Sequence, residues 1–412
     1  MTAANVMAAK GPSQQNHQIE LADVFRLYGQ SYRHSRPLPF SHIKVMQDIE
    51  NCRTAALGGH VNTCSHCGFE RISYNSCRNR HCPKCQTMAK ANWLENRKAE
   101  LLPVGYFHNV FTIPHELNPI TLCNKKVIFN ILFDSVAKTL RQFATDPKHK
   151  LGGKLGFTAI LHTWDQRLLD HFHLHCVIPG GVILHGNAHW INARDNFLFP
   201  VKALSIVFRG KFIDALKNAY NNNELIFPGK TEVFAKPQHF KKIVDQLYKK
   251  GWVVYSKKPF ASPKHVLDYL GRYTHRVAIS NHRIKSIANG KVSFTYRDRS
   301  DDNKSKLMTI DAHEFIRRFL LHVLPQSYKK IRHFGFLASR GKKKYLTQIR
   351  TILNAKQKPS EPVKMDARTM FLHLTGVDLS KCPHCKHGTM CISVQLPRMQ
   401  TNKFPVAKLD SS

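Results

Sequence analysis

Two cysteine pairs, Cys64-Ser-His-Cys67 and Cys82-Pro-Lys-Cys85, constrain this chain more than any other feature. Each CxxC knuckle turns two thiolates towards one point, and two knuckles together form the tetrahedral sulfur cage that zinc prefers. A four-thiolate site has no open coordination position, so such an ion holds a fold together rather than catalysing. Cys77 and His81 are alternate ligands, and with Cys52, His60 and His66 they suffice for a second ion. Residues 52–90 are otherwise poor in regular periodicity, as expected of a small unit whose metal replaces a core. A second cluster, Cys382-Pro-His-Cys385 with Cys391, reads as half of a zinc ribbon. It predicts a further zinc site whose fourth ligand is His384, His387 or a distant cysteine. Cysteines grouped in CxxC pairs within a long chain indicate metal binding in a reducing compartment, not a disulfide framework.

The charge narrows the choice of partner. Against 27 acidic residues stand 63 Lys and Arg, a net charge of +36. Self-repulsion on that scale opposes compaction unless a polyanion offsets it, and nucleic acid is the polyanion that Lys and Arg neutralise with counterion release. Arg78, Arg80 and Lys84 lie among the N-terminal ligands and are candidate DNA contacts. The first residues lack the apolar stretch of a signal peptide, and no apolar run approaches the roughly 18 residues of a membrane span. The expectation is a soluble protein with no membrane partner.

Periodicity orders the rest. Helices are expected over 19–50 with a break at Arg36–Pro39, then over Trp93–Leu102, Lys125–Phe143, Leu204–Tyr220, Gln238–Lys249 and Pro263–Thr274. Strands are expected at Phe107–Ile113, Gly156–Trp164, His171–Leu184, Val253–Tyr255, Val277–Ile284 and Lys291–Arg297. A basic helical region follows over 311–358. This irregular alternation argues for an α+β fold, not a doubly wound sheet. The domain reading is an arm with helices (1–50), a zinc unit (51–100), a central domain (105–300) with a helical insertion at about 203–250, and a basic C-terminal region (301–412).

Two segments carry chemistry. On a strand, residues two apart share a face, so His171, His173 and His175 project one way while Phe172, Leu174 and Cys176 enter the core. A row of imidazoles is a site for a divalent metal. If the preceding strand pairs antiparallel through the turn at Asp165–Asp170, His162 faces the same ion. The second segment opens with Ser262-Pro263, a helix start. Tyr269 and Tyr273, four residues apart, share one flank of that helix, with Arg272 and Arg276 near enough to balance a phosphate.

His173-Leu-His175 followed by Tyr269-x-x-x-Tyr273 resembles the two-tyrosine HUH transposases of rolling-circle insertion sequences, the insertion-sequence-91 family. Similar to that family as well are Asn75-Ser-Cys-Arg-Asn-Arg-His-Cys-Pro-Lys-Cys85, Phe111-Thr-Ile-Pro-His-Glu-Leu117, Leu161-His-Thr-Trp164, Phe208-Arg-Gly-Lys-Phe212, Tyr269–Ser280 and Phe315–Leu320. The resemblance implies an HUH endonuclease core, a central antiparallel sheet flanked by helices. It implies Mg²⁺ or Mn²⁺ at His173 and His175, with His162 as third ligand by likeness to relaxases. It also implies Tyr269 and Tyr273 as nucleophiles, 5′-phosphotyrosine intermediates, rejoining without ATP, and a substrate of single-stranded DNA and element-end hairpins. A bacterial cytoplasm, on the nucleoid, is the implied location. Consistent with ATP independence, Gly229-Lys-Thr231 is no P-loop, because Glu224 stands where the first glycine belongs. Two other readings remain open at this point: a replication initiator or relaxase of the same chemistry, and a non-catalytic zinc-dependent DNA-binding protein.

Overall fold

Alternation in three segments builds the centre of the molecule. The computed structural model describes residues 18–184, 189–260, 265, 266, 269, 271, 277–355 and 365–399. Tyr106–Thr112 (β3), Gly156–Trp164 (β4) and Asp170–Pro179 (β5) lie side by side, with Ile331–Gly335 (β12) and Val254–Phe260 (β8) at the edges. The order is β12-β4-β5-β3-β8, antiparallel throughout. One face carries Phe107, Phe111, Leu161, Phe172, Leu174 and Cys176, all buried. These pack on Lys125–Thr145 (α5) and Val201–Asn221 (α6), which contribute Phe129, Phe133, Phe208 and Phe212. Burial of each such ring stabilises the fold by roughly 2–3 kcal/mol.

The opposite face is covered by elements distant in sequence. Pro83–Lys98 (α3) and a helix that includes Val266 and Tyr269 meet Ile160 and Val177 there, with Trp93 and Leu94 packed alongside. Gly271 explains how closely that tyrosine helix approaches α3: a Cβ at this position would lie 2.9 Å from Leu94 Cδ1 and 3.2 Å from Lys90 Cε.

A second core joins the N-terminal helices to a sheet and helix from residues 284–321. Leu21–His34 (α1) and Phe40–Glu50 (α2) pack on the sheet of Ile284–Ala288 (β9), Lys291–Asp298 (β10) and Lys304–Asp311 (β11), and on Ala312–Leu321 (α8). Phe25 meets Phe319 edge to face at 5.5 Å. The third sheet, order β13-β1-β2, combines Gly59–Cys64 (β1) and Glu70–Tyr74 (β2) with Met390–Leu396 (β13). Among the described residues no helix is long and apolar enough to cross a membrane.

The fold is thus mixed α/β with antiparallel sheets, as the irregular alternation suggested. Several elements differ from the sequence reading. Helix α3 starts at Pro83, not Trp93, because Cys82 occupies the N-cap and Pro83 the first turn, where its missing N–H costs nothing. The expected strand Val277–Ile284 is instead a bend and one 3-10 turn, Asn281–Arg283, leading into β9. Arg283 fixes this turn from inside, its Nε donating to the Thr295 carbonyl at 2.7 Å. The C-terminal region is not purely helical, since β11, β12 and β13 alternate with α8, Lys342–Ile352 (α9) and Ala367–Thr375 (α10).

His322, at the end of α8, ties this region to the turn between β4 and β5. Its Nε2 donates to the Leu168 carbonyl at 3.1 Å, so its Nδ1 is left to accept from the Thr163 hydroxyl at 3.3 Å. Burial holds its pKa down to about 4 from 6.5. The unfolded chain therefore takes up this proton first, and the stability contributed by neutral His322 is present above pH 6.5 and lost as pH falls towards 4. Between pH 7 and pH 5 that loss is about 2 kcal/mol. In urea unfolding, His322→Gln should flatten the dependence of stability on pH between these values by about that amount.

Candidate active site and metal centres

The pairing of β4 with β5 sets His162 directly across from His173, and β5 places His175 two residues on along the same face. One ring nitrogen from each of the three lies within 4.8 Å of the others, and all three side chains are buried. His173 Nε2 and His175 Nε2 are 3.0 Å apart. Burial, with the neighbouring His162 and His171, holds the pKa of His173 well below the ordinary value, so its nitrogen lone pair stays available for a metal. The donor set, three buried imidazoles converging on one point, suits a divalent ion. His171 stands at the rim, its ring 4.6 Å from that of His173.

Tyr269 reaches the same point from the covering helix. Its side chain is 5% exposed, and its hydroxyl lies 2.8 Å from His175 Nδ1. The hydroxyl is also hydrogen-bonded to His108 Nε2, which in turn is 3.0 Å from His175 Nδ1. His108 was not singled out from the sequence, although alternation in β3 puts it on the histidine face beside Val110, the partner of His175. Burial lowers its pKa to about 3, which keeps it neutral. Tyr273, Arg272 and Arg276 lie outside the described residues.

A cleft of about 570 Å³ opens onto His162, His173 and His175. Its other wall is the β10–β11 hairpin, with Tyr296, Arg297, Arg299 and Asn303, and Arg167 comes from the β4–β5 turn. A second cleft of about 510 Å³ adjoins it, sharing Gln166, Tyr296 and Arg297 and bordered by Thr87 and Lys90 of α3. Two of the basic residues read as candidate DNA contacts also make bonds within the fold. Arg80 donates to the Tyr328 carbonyl at 2.6 Å, and Lys84 pairs with Glu20 at 2.6 Å. Arg78 is exposed.

The two N-terminal knuckles do not close on one another. Cys82 and Cys85 meet Cys52 and Cys77, whereas Cys64 and Cys67 meet Cys382 and Cys385. In the first quartet Cys52–Cys85, Cys77–Cys85 and Cys52–Cys82 are each separated by 3.6 Å between sulfurs. A zinc tetrahedron with bonds of about 2.3 Å has edges of roughly 3.8 Å, so the cage fits the ion. The sequence spacing misled because β13 pairs with β1 and carries the C-terminal knuckle to Cys64. His81 belongs to neither quartet and borders a small pocket with Trp164 and His322. Cys391 is exposed and outside both.

A family model described as "Putative transposase" matches residues 156–344, and one described as "Transposase zinc-binding domain" matches residues 24–113. "Putative transposase y4qJ" of Sinorhizobium fredii (strain NBRC 101917 / NGR234) is 46% identical over 387 residues, which are 93% of this chain and 95% of that protein. "Transposase for insertion sequence element IS801" of Pseudomonas savastanoi pv. phaseolicola is 26% identical over 346 residues, 83% of this chain and 81% of that protein. No solved structure gives a significant match.

The close approach at Gly271 generates a test of how the tyrosine helix is seated. Gly271→Val should destabilise the protein by about 1–3 kcal/mol through overpacking against Leu94 and Lys90, read as a lower urea midpoint.

Proposed function

The chain belongs to the insertion-sequence-91 family of transposases, and on that premise we propose that it nicks and rejoins single-stranded DNA through a tyrosine ester in rolling-circle transposition. Membership of the family already makes DNA the substrate and strand cleavage and transfer the reaction. The finer reading, an HUH site with Tyr269 as a nucleophile, rests on one observation above all. The Tyr269 hydroxyl is hydrogen-bonded to a histidine of the buried triad, 2.8 Å from His175 Nδ1.

The chemistry follows from which atoms can carry protons. With Nε2 of His175 turned to the triad, its Nδ1 bears the hydrogen and donates to the phenol oxygen. The phenol proton then points to His108 Nε2, which is neutral and accepts it. Tyrosine has an ordinary pKa near 10, so an oriented acceptor alone is a modest aid to forming the phenolate. His162, His173 and His175 would hold Mg²⁺ or Mn²⁺, which when bound polarises the scissile phosphate as a Lewis acid. The tyrosine oxygen forms a bond to phosphorus while the bond from phosphorus to the 3′ oxygen breaks. The 3′ oxygen leaves with a proton, and the 5′ phosphate remains on tyrosine. Attack of a 3′ hydroxyl on that ester reverses the step, so joining needs no nucleotide cofactor. Tyr273, in the notation of the same motif, is proposed to hold a second strand. The adjoining clefts, lined by Arg167, Arg297, Arg299 and Lys90 with Tyr296 between them, supply phosphate contacts and a stacking ring for a single strand.

The test uses a single-stranded oligonucleotide bearing the end of the element, labelled downstream of the nick, with Mg²⁺ or Mn²⁺. The protein should form a labelled covalent adduct that survives denaturation. Tyr269→Phe should lower adduct formation by roughly 10³-fold or more unless Tyr273 substitutes for it. The double variant Tyr269→Phe/Tyr273→Phe should form none, and an adduct at the unaltered rate would overturn the assignment. His173→Ala should abolish metal-dependent nicking while binding of the same oligonucleotide persists. His108→Phe should slow nicking by about 10–100-fold without loss of metal binding, as expected of a group that orients the hydroxyl.

A further inference from the structure

Cys67 and Cys382 are 315 residues apart in the chain, yet their sulfurs lie 3.7 Å from one another. Cys64 and Cys385 are separated by the same distance. We propose that Cys64, Cys67, Cys382 and Cys385 bind a second zinc ion, which clasps the C-terminal hairpin onto the N-terminal zinc-binding domain.

The spacing discriminates between the chemistries open to four cysteines. A disulfide requires about 2.05 Å between sulfurs. A zinc tetrahedron requires roughly 3.8 Å. The observed 3.7 Å agrees with the second. Backbone amides support thiolates at this site on both knuckles. The N–H groups of His66 and Cys67 donate to Cys64 Sγ at 3.4 and 3.5 Å, and that of Gly388 donates to Cys385 Sγ at 3.3 Å. Such bonds stabilise the charged sulfur that a metal needs.

The packing is equally specific. A Cβ at Gly388 would lie 2.2 Å from Cys64 Sγ and 3.0 Å from the His66 nitrogen, so only glycine lets the two knuckles approach. The register of β1 on β13 sets Cys64 opposite Met390, and an isolated bridge between Lys381 and Thr389 closes the C-terminal knuckle beneath it. Nearby alternatives are directed elsewhere. Cys391 lies opposite Thr63 and is exposed, and His384 stacks on Phe69 at 5.7 Å between ring centres.

The clasp differs from the first quartet in its surroundings and its reach. Cys52 and Cys82 are buried in the second core, whereas Cys67 is exposed, so a chelator should reach the clasp first. The matched zinc-binding domain ends at residue 113 and cannot close this site alone. Closing it also seats α10 near α3, where His373 Nε2 lies 3.9 Å from Glu95. The same α3 carries Leu94 and Lys90 against the tyrosine helix.

The experiment is cobalt substitution of the full-length protein, read by the thiolate-to-cobalt charge-transfer absorbance, to which a histidine site does not contribute. Cys382→Ser/Cys385→Ser should lower this absorbance by about half, and zinc content should fall by one ion per chain. Cys391→Ser should change neither. Unchanged absorbance and zinc in the double variant would overturn the proposal. Loss of all sulfur-bound cobalt would also overturn it, because the clasp would then not be a site separate from the first. In the unaltered protein, a chelator should remove the clasp's metal first, and simultaneous release of both ions would count against the assignment.

Discussion

The register of β4 against β5 is the constraint on which the rest depends. Because strand side chains alternate with a period of two, a slip by one residue would drive His173 and His175 into the apolar core and expose Phe172 and Leu174. Three devices hold the register. Phe172, Leu174 and Cys176 are anchored under α5 and α6. The Asp165 carboxylate accepts from the amides of Arg167 and Leu169, both at 2.8 Å, and shapes the turn between the strands. His322 then ties that turn to α8 through the Leu168 carbonyl.

The sheet separates stability from chemistry by face. Its apolar side is closed by helices that follow locally along the chain. Its histidine side is buried as well, but by α3 from the zinc-binding domain and by the tyrosine helix. A covering element recruited from so far away must be rigid at its own base. Cys82 occupies the N-cap position of α3, and Cys85 lies in its first turn, so the first thiolate quartet sits at the end of the helix that packs on Tyr269's helix. Metal binding at the sulfur cage and geometry at the proposed nucleophile are therefore mechanically joined, although the two sites share no atom.

How much of this was legible follows from which signals are local. The histidine strand could be read because alternation is a local property, and antiparallel pairing through a short turn brought His162 within reach. The cysteine pairing could not, because the choice between Cys82/Cys85 and Cys382/Cys385 as partners of Cys64/Cys67 is made by β13 adding to β1, an event of long range. The expected start of helix α3 falls too late because a thiol-rich, charged segment has little apolar periodicity, and its start is marked by Pro83 in the first turn, not by an amphipathic stripe. His108 escaped notice for a related reason. A single histidine in the apolar run Tyr106–Ile113 reads as a core residue until β5 is laid beside it. The tyrosine pair was singled out only through a resemblance to a family, since two tyrosines four apart on a helix ordinarily pack; Tyr269 is placed beside the histidines, and Tyr273 lies outside the described residues.

The arrangement also bears on where DNA would be held. A net charge of +36 indicates a polyanion but not where it binds. Arg80 and Lys84, which sequence proximity suggested, are held by a carbonyl and a carboxylate of the fold. A side chain whose head group is already held by an internal acceptor gains less from meeting a phosphate if that bond must be given up. Among the described residues the arginines of the β10–β11 hairpin make no hydrogen bond or ion pair to the zinc unit, and they border the cleft that opens onto the histidines. A strand drawn into that cleft by Arg297 and Arg299 would arrive with its backbone beside the triad. In this reading the zinc-binding domain contributes to the reaction by positioning α3, and the hairpin supplies the electrostatic approach.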